Sequence, residues 1–306
     1  MKSPVLFLIF NRPDTTERVF EEIRKARPPR LYVAADGPRA SRPGEKEICE
    51  KTRAIVGNVD WPCEVKTLFR DVNLGCGHAV SQAITWFFDN EPEGIIIEDD
   101  ILPHPDFFTY CDELLGRYRD DERIQLVTGH NAFYKGFVSE YSYHMSSFFH
   151  IWGWASWRRV WRTYEFDAAK LSREIFMEKV ATRLPEKSHA YWARIFDMMA
   201  SHNCDTWDYQ LYFNQLLNDR YSIIPFRNLT HNIGFGEGAT HTTGESTPEA
   251  THKAVSILPL HHPDNLYTDP RAEIFLMNGM GLYDLTSLQR ILHLPIRVIR
   301  KLKNIL

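Results

Sequence analysis

The chain has 306 residues, which fits one large domain or two small ones. Apolar residues make up 43% and charged residues 25%, the balance of an ordinary globular protein rather than a disordered or fibrous one. The net charge of −4 excludes a general nucleic-acid coat, because the basic excess that neutralises phosphates is missing. Five cysteines, an odd number with no C-x-x-C spacing, argue against a disulfide framework or a zinc ribbon. They favour a reducing compartment, so a cytoplasmic location is expected. No apolar run reaches the roughly 18 residues of a membrane-spanning helix.

In chain order, residues 4–10 are apolar and uncharged, the pattern of a strand buried on both faces. The run is too short for a signal peptide, and no small-residue cleavage site follows it. Asp14 is placed to cap a helix through Val19, Phe20 and Ile23, which Pro28-Pro29 stops. Residues 31–35 form a second buried strand ending at Asp36. Residues 44–56 have helical spacing, residues 64–69 alternate like a strand, and residues 78–89 read as a helix. Residues 94–97 form another strand, with Glu98-Asp99-Asp100 at its end. This βαβαβαβ order predicts a mostly parallel sheet flanked by helices. Ligands of such sheets bind at the carboxyl ends of the strands. Here three of those ends carry polar residues: Asn11-Arg12, Asp36 and Glu98-Asp99-Asp100.

Beyond residue 104 the chain becomes more helical. A helix over 105–119 precedes a strand over 124–128, and residues 141–149 suit an edge strand. The run Trp152-Gly153-Trp154-Ala155-Ser156-Trp157 leads into Arg158 and Arg159, which read as a solvated helix face. Helices follow near 171–183, 188–203 and 207–218, then a short strand over 222–224. Residues 228–255, rich in Gly, Thr and His, read as a mobile loop. No linker separates the halves, so they are expected to share one cleft.

The block Ile95-Ile96-Ile97-Glu98-Asp99-Asp100 carries the strongest signal. Three carboxylates at a buried strand end are costly unless a cation or donor groups compensate them. Mg²⁺ or Mn²⁺ takes such oxygen ligands and adds substrate phosphates. A solvated acidic turn before a helix is the competing reading.

Together with Leu102 and Pro105-Asp106-Phe107-Phe108, this block resembles the acidic motif of glycosyltransferases of the GT-A fold. It is most similar to the inverting N-acetylglucosaminyltransferases of family 13, and the tryptophan run resembles bacterial family 2-like relatives. The resemblance covers Val5 to about residue 245. It implies a Rossmann-like α/β domain. Residues 1–104 would bind the nucleotide sugar, 105–260 would form the acceptor and catalytic half, and 261–306 a C-terminal extension. It implies that Asp100 binds a divalent metal bridging the diphosphate, that Asp99 contacts the ribose and that Glu98 orients the nucleoside. Asn11 and Arg12 would meet base and phosphates, Asp36 the uracil and His78 the uridine. A late histidine would join the metal, with His241 preferred to His231.

Transfer to an acceptor hydroxyl also needs a carboxylate to take its proton. Asp208 is the candidate, and the resemblance agrees, since it places the base in a pair like Trp207-Asp208. Asp205 is second. Both also suit N-capping of the following helix, Asp205 the better of the two. Trp152 and Trp154, with Gly153 between them and Trp207 nearby, either pack the core or floor a sugar cleft; core is favoured for most of the run. The stretch from Thr230 to His241 lacks a P-loop ending and suits a lid. Residues 285–306 suit a basic amphipathic helix, lying either on an anionic membrane or packed on protein.

The expected function is transfer of a sugar, N-acetylglucosamine by preference, from a UDP-sugar to a glycan or glycolipid hydroxyl with inversion. The alternatives are a Mg²⁺-dependent phosphohydrolase or nucleotidyltransferase, and a carbohydrate-binding protein without catalysis.

Overall fold

The computed structural model describes residues 1–131, 139–234, 253–279 and 281–282. Strand β1 (Val5–Ile9) is apolar throughout and fully buried, as a strand covered by helices on both faces must be. Helix α1 (Pro13–Ala26) opens on proline, whose missing N–H costs nothing in a first turn. Asp14 is therefore not the cap. It lies inside the first turn, where its charge suits the helix dipole, and Arg12 takes the cap position next to the end of β1.

Strand β2 (Arg30–Ala35), helix α2 (Glu45–Ala54), strand β3 (Glu64–Phe69), helix α3 (Cys76–Asn90) and strand β4 (Glu93–Glu98) continue the alternation. β1 pairs in parallel with β2 and β4, and β2 with β3. Then come β5 (Ile101–Pro103), α4 (Asp106–Arg117), β6 (Ile124–Thr128), β7 (Tyr143–Ser146), β8 (Trp154–Trp157) and the short α5 (Arg158–Trp161). Helices α6 (Arg173–Arg183), α7 (His189–Ala200) and α8 (Tyr209–Leu217) precede β9 (Tyr221–Pro225), β10 (Thr230–Asn232) and α9 (Pro270–Gly279).

Eight strands form one sheet in the order β3-β2-β1-β4-β8-β6-β9-β7. Only β8 and β7 run against their neighbours, so the chain is a mixed α/β fold on a mostly parallel sheet. Apolar clusters fill both faces, one around Phe87, Trp154 and Trp207, the other around Phe107, Trp157 and Ile223.

Three expectations are corrected. The tryptophan run contains a central strand, β8, buried on both faces, so no polar alternation marks it. The stretch read as a loop from 228 begins with β10, which pairs antiparallel with β5. Arg158 and Arg159 are not a solvated face. Arg158 donates to the carbonyls of Phe88 and Glu91 around the end of α3. Arg159 donates to the carbonyls of Tyr118, Arg119, Asp121 and Ile124 beyond α4. Helix ends leave carbonyls without partners and carry negative dipole ends, and these arginines satisfy both.

Residues 235–252 of that stretch and the basic tail over 285–306 lie outside the described residues. No helix among the described residues is long and apolar enough to cross a membrane.

Replacing Arg159 by Met removes the guanidinium from over Trp157 and takes its hydrogen bonds from the four carbonyls, of which those of Tyr118 and Asp121 keep a backbone N–H. Urea unfolding should show a loss of about 2 kcal/mol.

Candidate functional site

β1, β2 and β4 run the same way, so their carboxyl ends deliver Asn11-Arg12, Asp36 and Glu98-Asp99-Asp100 to one edge of the sheet. β8 runs the other way, so its entry, with Ile151 and Trp152, arrives at the same edge. These residues line a cleft of about 720 Å³, a volume typical of small-molecule sites. The loop before α8 closes it with Asp205, Trp207 and Asp208.

The three consecutive acids divide their surroundings. Asp99 is buried, and its carboxylate accepts from the Phe10 N–H at 3.0 Å and the Thr16 hydroxyl at 3.4 Å. Asp100 pairs with the Arg12 guanidinium at 2.7 Å. Glu98 receives no hydrogen bond from the described residues and lies within the field of Asp208. Burial pushes all three carboxyls above their usual range. The charge of Asp100 adds to this for Glu98 and Asp99, and Asp99 reaches about 7.

Asp36 works as a hub. Its carboxylate accepts from the backbone N–H groups of Gly37, Leu74 and Gly75 and from the Asn73 side chain. Burial raises its pKa, and the backbone donors oppose the rise. Asn11 donates to Glu45 at 2.9 Å, and Glu45 is also held by Arg39. Arg39 and Arg70 line the cleft as well, so the end at the strand termini is richer in positive charge than the chain order revealed.

Asp205 and Asp208 have distinct positions. Asp205 reaches across to the start of α3, where its two oxygens accept from the N–H groups of Cys76 and Gly77 at 3.0 and 2.8 Å. A side chain on Gly75 would begin 2.5 Å from that carboxylate, so the approach needs glycine, as does the positive φ of 81°. Asp208 is the N-cap of α8, accepting through Oδ1 from the Tyr209 N–H at 3.0 Å and from the Thr206 hydroxyl at 2.5 Å. Of the two acids that suit N-capping of this helix, Asp208 is the cap and Asp205, the preferred one, is not: α8 starts one residue after Asp208. The Oδ2 of Asp208 takes no hydrogen bond from the described residues.

Trp154 is buried and stacks on Trp207, whose ring reaches the cleft from beneath. Trp152 is only half-buried and packs edge-on to His130, with His150 beside it. Burial holds His150 neutral, with its pKa lowered to about 4. Gly153, at φ +74°, lies against Thr230 and Phe107 and does not line the cleft. His78 is exposed on α3, stacks on Phe166 and is also not a lining residue. Phe149, His150, Tyr191 and Tyr212 do line it, and no motif in the sequence singled them out.

Among the described residues no three His, Cys, Asp or Glu side chains converge on one point. His241 lies outside the described residues. A divalent cation bound with substrate phosphates needs only one or two carboxylates. Asp100, which lines the cleft, is one such carboxylate. Gly234 packs closely against it and Arg12: a Cβ there would sit 2.1 Å from the Asp100 Oδ2, so the approach needs glycine.

No family model and no curated protein matches the sequence. Among solved structures the chain is similar to UDP-glucose pyrophosphorylase complexed with UDP-glucose, at 11% identity and TM-score 0.41, over 79% of this chain and 97% of that one. It is also similar to HddC from Yersinia pseudotuberculosis, at 10% identity and TM-score 0.33, over 53% of this chain and 80% of that one. Likenesses of this size leave the chemistry to be argued from the cleft itself.

Asp205→Ala should lower stability by about 1 kcal/mol in urea unfolding, the loss of one helix cap, and Asp205→Asn should restore part of it. Asp99 gives a pH test. Its ordinary value is 3.8, and in the folded protein it holds its proton to about 7. The stability it contributes is full below the unfolded value and is lost as pH rises through the folded one. In chelator, Asp99→Asn should therefore gain stability relative to the parent between about pH 4 and about pH 7 and hold a constant advantage above that. A difference that is constant below about pH 7 as well would mean that Asp99 is ionised throughout.

Proposed function

We propose that the chain is a metal-dependent inverting glycosyltransferase that moves a sugar from a UDP-sugar to a hydroxyl of a glycan or glycolipid. N-acetylglucosamine is the preferred donor sugar, on the resemblance of the acid block alone. The observation that carries the reading is one cleft with two different ends. One end holds Asp100 paired with Arg12 at the strand termini, and the other holds Asp208 with an oxygen that no described residue occupies.

In this reading the nucleotide lies across the carboxyl ends of β1, β2 and β4. Asp36 fixes the 73–75 loop against which the base would rest. Arg12 supplies the planar positive charge suited to phosphate oxygens. Asp100 would hold the cation, which when bound neutralises the leaving diphosphate. Asp208 accepts the proton of the acceptor hydroxyl as its oxygen attacks the anomeric carbon, and the diphosphate departs from the opposite face. One displacement of that kind inverts the centre. Asp205 cannot serve as base without giving up two backbone N–H groups. The aromatic wall of Trp152, Tyr191 and Tyr212 offers apolar faces to the acceptor sugar.

Asp100→Ala should abolish Mn²⁺-dependent stabilisation by UDP in a thermal-shift assay while the protein stays folded. Asp208→Asn should keep that stabilisation and lose at least about 100-fold in turnover. Unchanged metal-dependent UDP binding in the first variant, or near-normal turnover in the second, would overturn the assignments. Release of pyrophosphate or inorganic phosphate in place of UDP would point to a nucleotidyltransferase or phosphohydrolase.

A further inference from the structure

β3 is the outermost strand of the sheet, and no described segment pairs with its outer side. Edge strands of soluble proteins are usually guarded by lysine, proline, a bulge or a covering segment. On one face β3 has only the Arg53 guanidinium, 5.2 Å from the centroid of the Phe69 ring, as cover from the described residues. Val65 and Phe69 are each 37% exposed there, with Thr67 exposed between them. Its one lysine, Lys66, points to the other face, where it donates to the Tyr32 hydroxyl at 3.1 Å.

The backbone settles which groups are available. The N–H groups of Glu64 and Arg70 donate inward, to Pro29 and Ala35, both at 3.0 Å. In a parallel pair the N–H and C=O of one residue point to the same side, and successive residues alternate. Val65, Thr67 and Phe69 therefore present N–H and C=O outward, unpaired. Those three residues are symmetric about Thr67, so the strand is complementary to a second copy of itself run antiparallel.

We propose that the chain forms a two-fold dimer by antiparallel pairing of β3 with β3 of a second copy, centred on Thr67. In that register Thr67 meets Thr67 and Val65 meets Phe69, each pair exchanging both its backbone hydrogen bonds. The same register sets Glu64 beside the partner's Arg70 and Arg70 beside the partner's Glu64, so opposite charges face at both ends. A shift by one residue would leave outward groups facing inward ones and lose this match. The arrangement is isologous, as closed dimers require. A strand pair alone buries less than a stable interface needs. Val72 and Leu74, both exposed just beyond the strand, extend the apolar contact. Antiparallel edges point the carboxyl ends of the two sheets in opposite directions, so each cleft stays complete within one protomer.

The test is sedimentation of the full chain over a concentration series, with variants at Thr67, which does not line the cleft. The parent should dimerise. Thr67→Lys and Thr67→Glu should each weaken self-association at least about tenfold, because like charges face across the axis. An equimolar mixture of the two should dimerise again, since Lys then meets Glu. Thr67→Pro, which removes an outward N–H and spares the ladder to β2, should also weaken it. UDP-dependent thermal shifts should not change in any variant. A monomeric parent, variants that dimerise like the parent, or a mixture that stays monomeric would overturn the proposal. Should the variants misfold, hydrogen exchange on the parent decides. Protection at 65, 67 and 69 that grows with concentration supports the dimer, and protection independent of concentration overturns it.

Discussion

The molecule is arranged around the burial of acid. β4 carries four buried residues, Gly94 to Ile97, straight into Glu98-Asp99-Asp100, so the sheet cannot form without desolvating carboxylates. Each acid meets that cost in a different way. Asp99 turns back into the fold and takes the Phe10 N–H at the end of β1. Asp100 takes the Arg12 side chain. Glu98 takes nothing and keeps company with Asp208. Within the triplet only Asp100 is paired with a guanidinium, while Arg39 is held by Glu45 and Arg70 donates to Gln82, so the three acids are left short of positive charge, and that local shortage is the physical case for a cation with phosphates there.

The second dependence runs between the two halves of the chain. Asp205 lies far along the sequence from α3, yet it supplies that helix with its N-terminal acceptors. The bond ties the loop carrying Trp207 and Asp208 to the start of α3, at the wall of the cleft. Gly75 and Gly77 make the approach feasible, since a Cβ at either would begin within 3 Å of the carboxylate. Trp207 then stacks on Trp154 of β8, and the loop is fixed from below as well as from the side. A residue that looks like a spare base is thereby a strut that positions the other one.

The parallel half was legible because β1, β2 and β4 are short apolar runs, each ending at a polar residue, and that pattern has one common solution. β8 was not legible. Trp154-Ala-Ser-Trp157 is too short and too uniformly buried to separate strand from core cluster by periodicity. β5 and β10 are three residues each and exist only through one another. The acid block, Arg12 and Asp208 stood out by residue type at predictable places. Arg39 and Arg70 did not, because charged residues on loops are common and only the folded sheet shows which of them face inward. The capping preferences failed by two or three residues, at Asp14 and Asp205. Such boundaries depend on backbone geometry that residue type alone does not fix.

The cleft's two ends make different demands on the same scaffold. The charged end is built from strand termini, where three adjacent parallel strands hold Arg12, Asp36 and Asp100 to a common register. Fixed dipoles and charges serve a leaving group best when they do not have to move. The other end is built from helices and loops, Tyr191 from α7 and Tyr212 from α8, and its contacts are apolar and less directional. On the proposed reading the donor would be held by the sheet edge and the acceptor by side chains of helices and loops. Asp208 stands at the seam, anchored by the N-terminus of α8 and, through Asp205, by that of α3. Its position therefore depends on both ends at once, and a change in either helix is felt at its free oxygen.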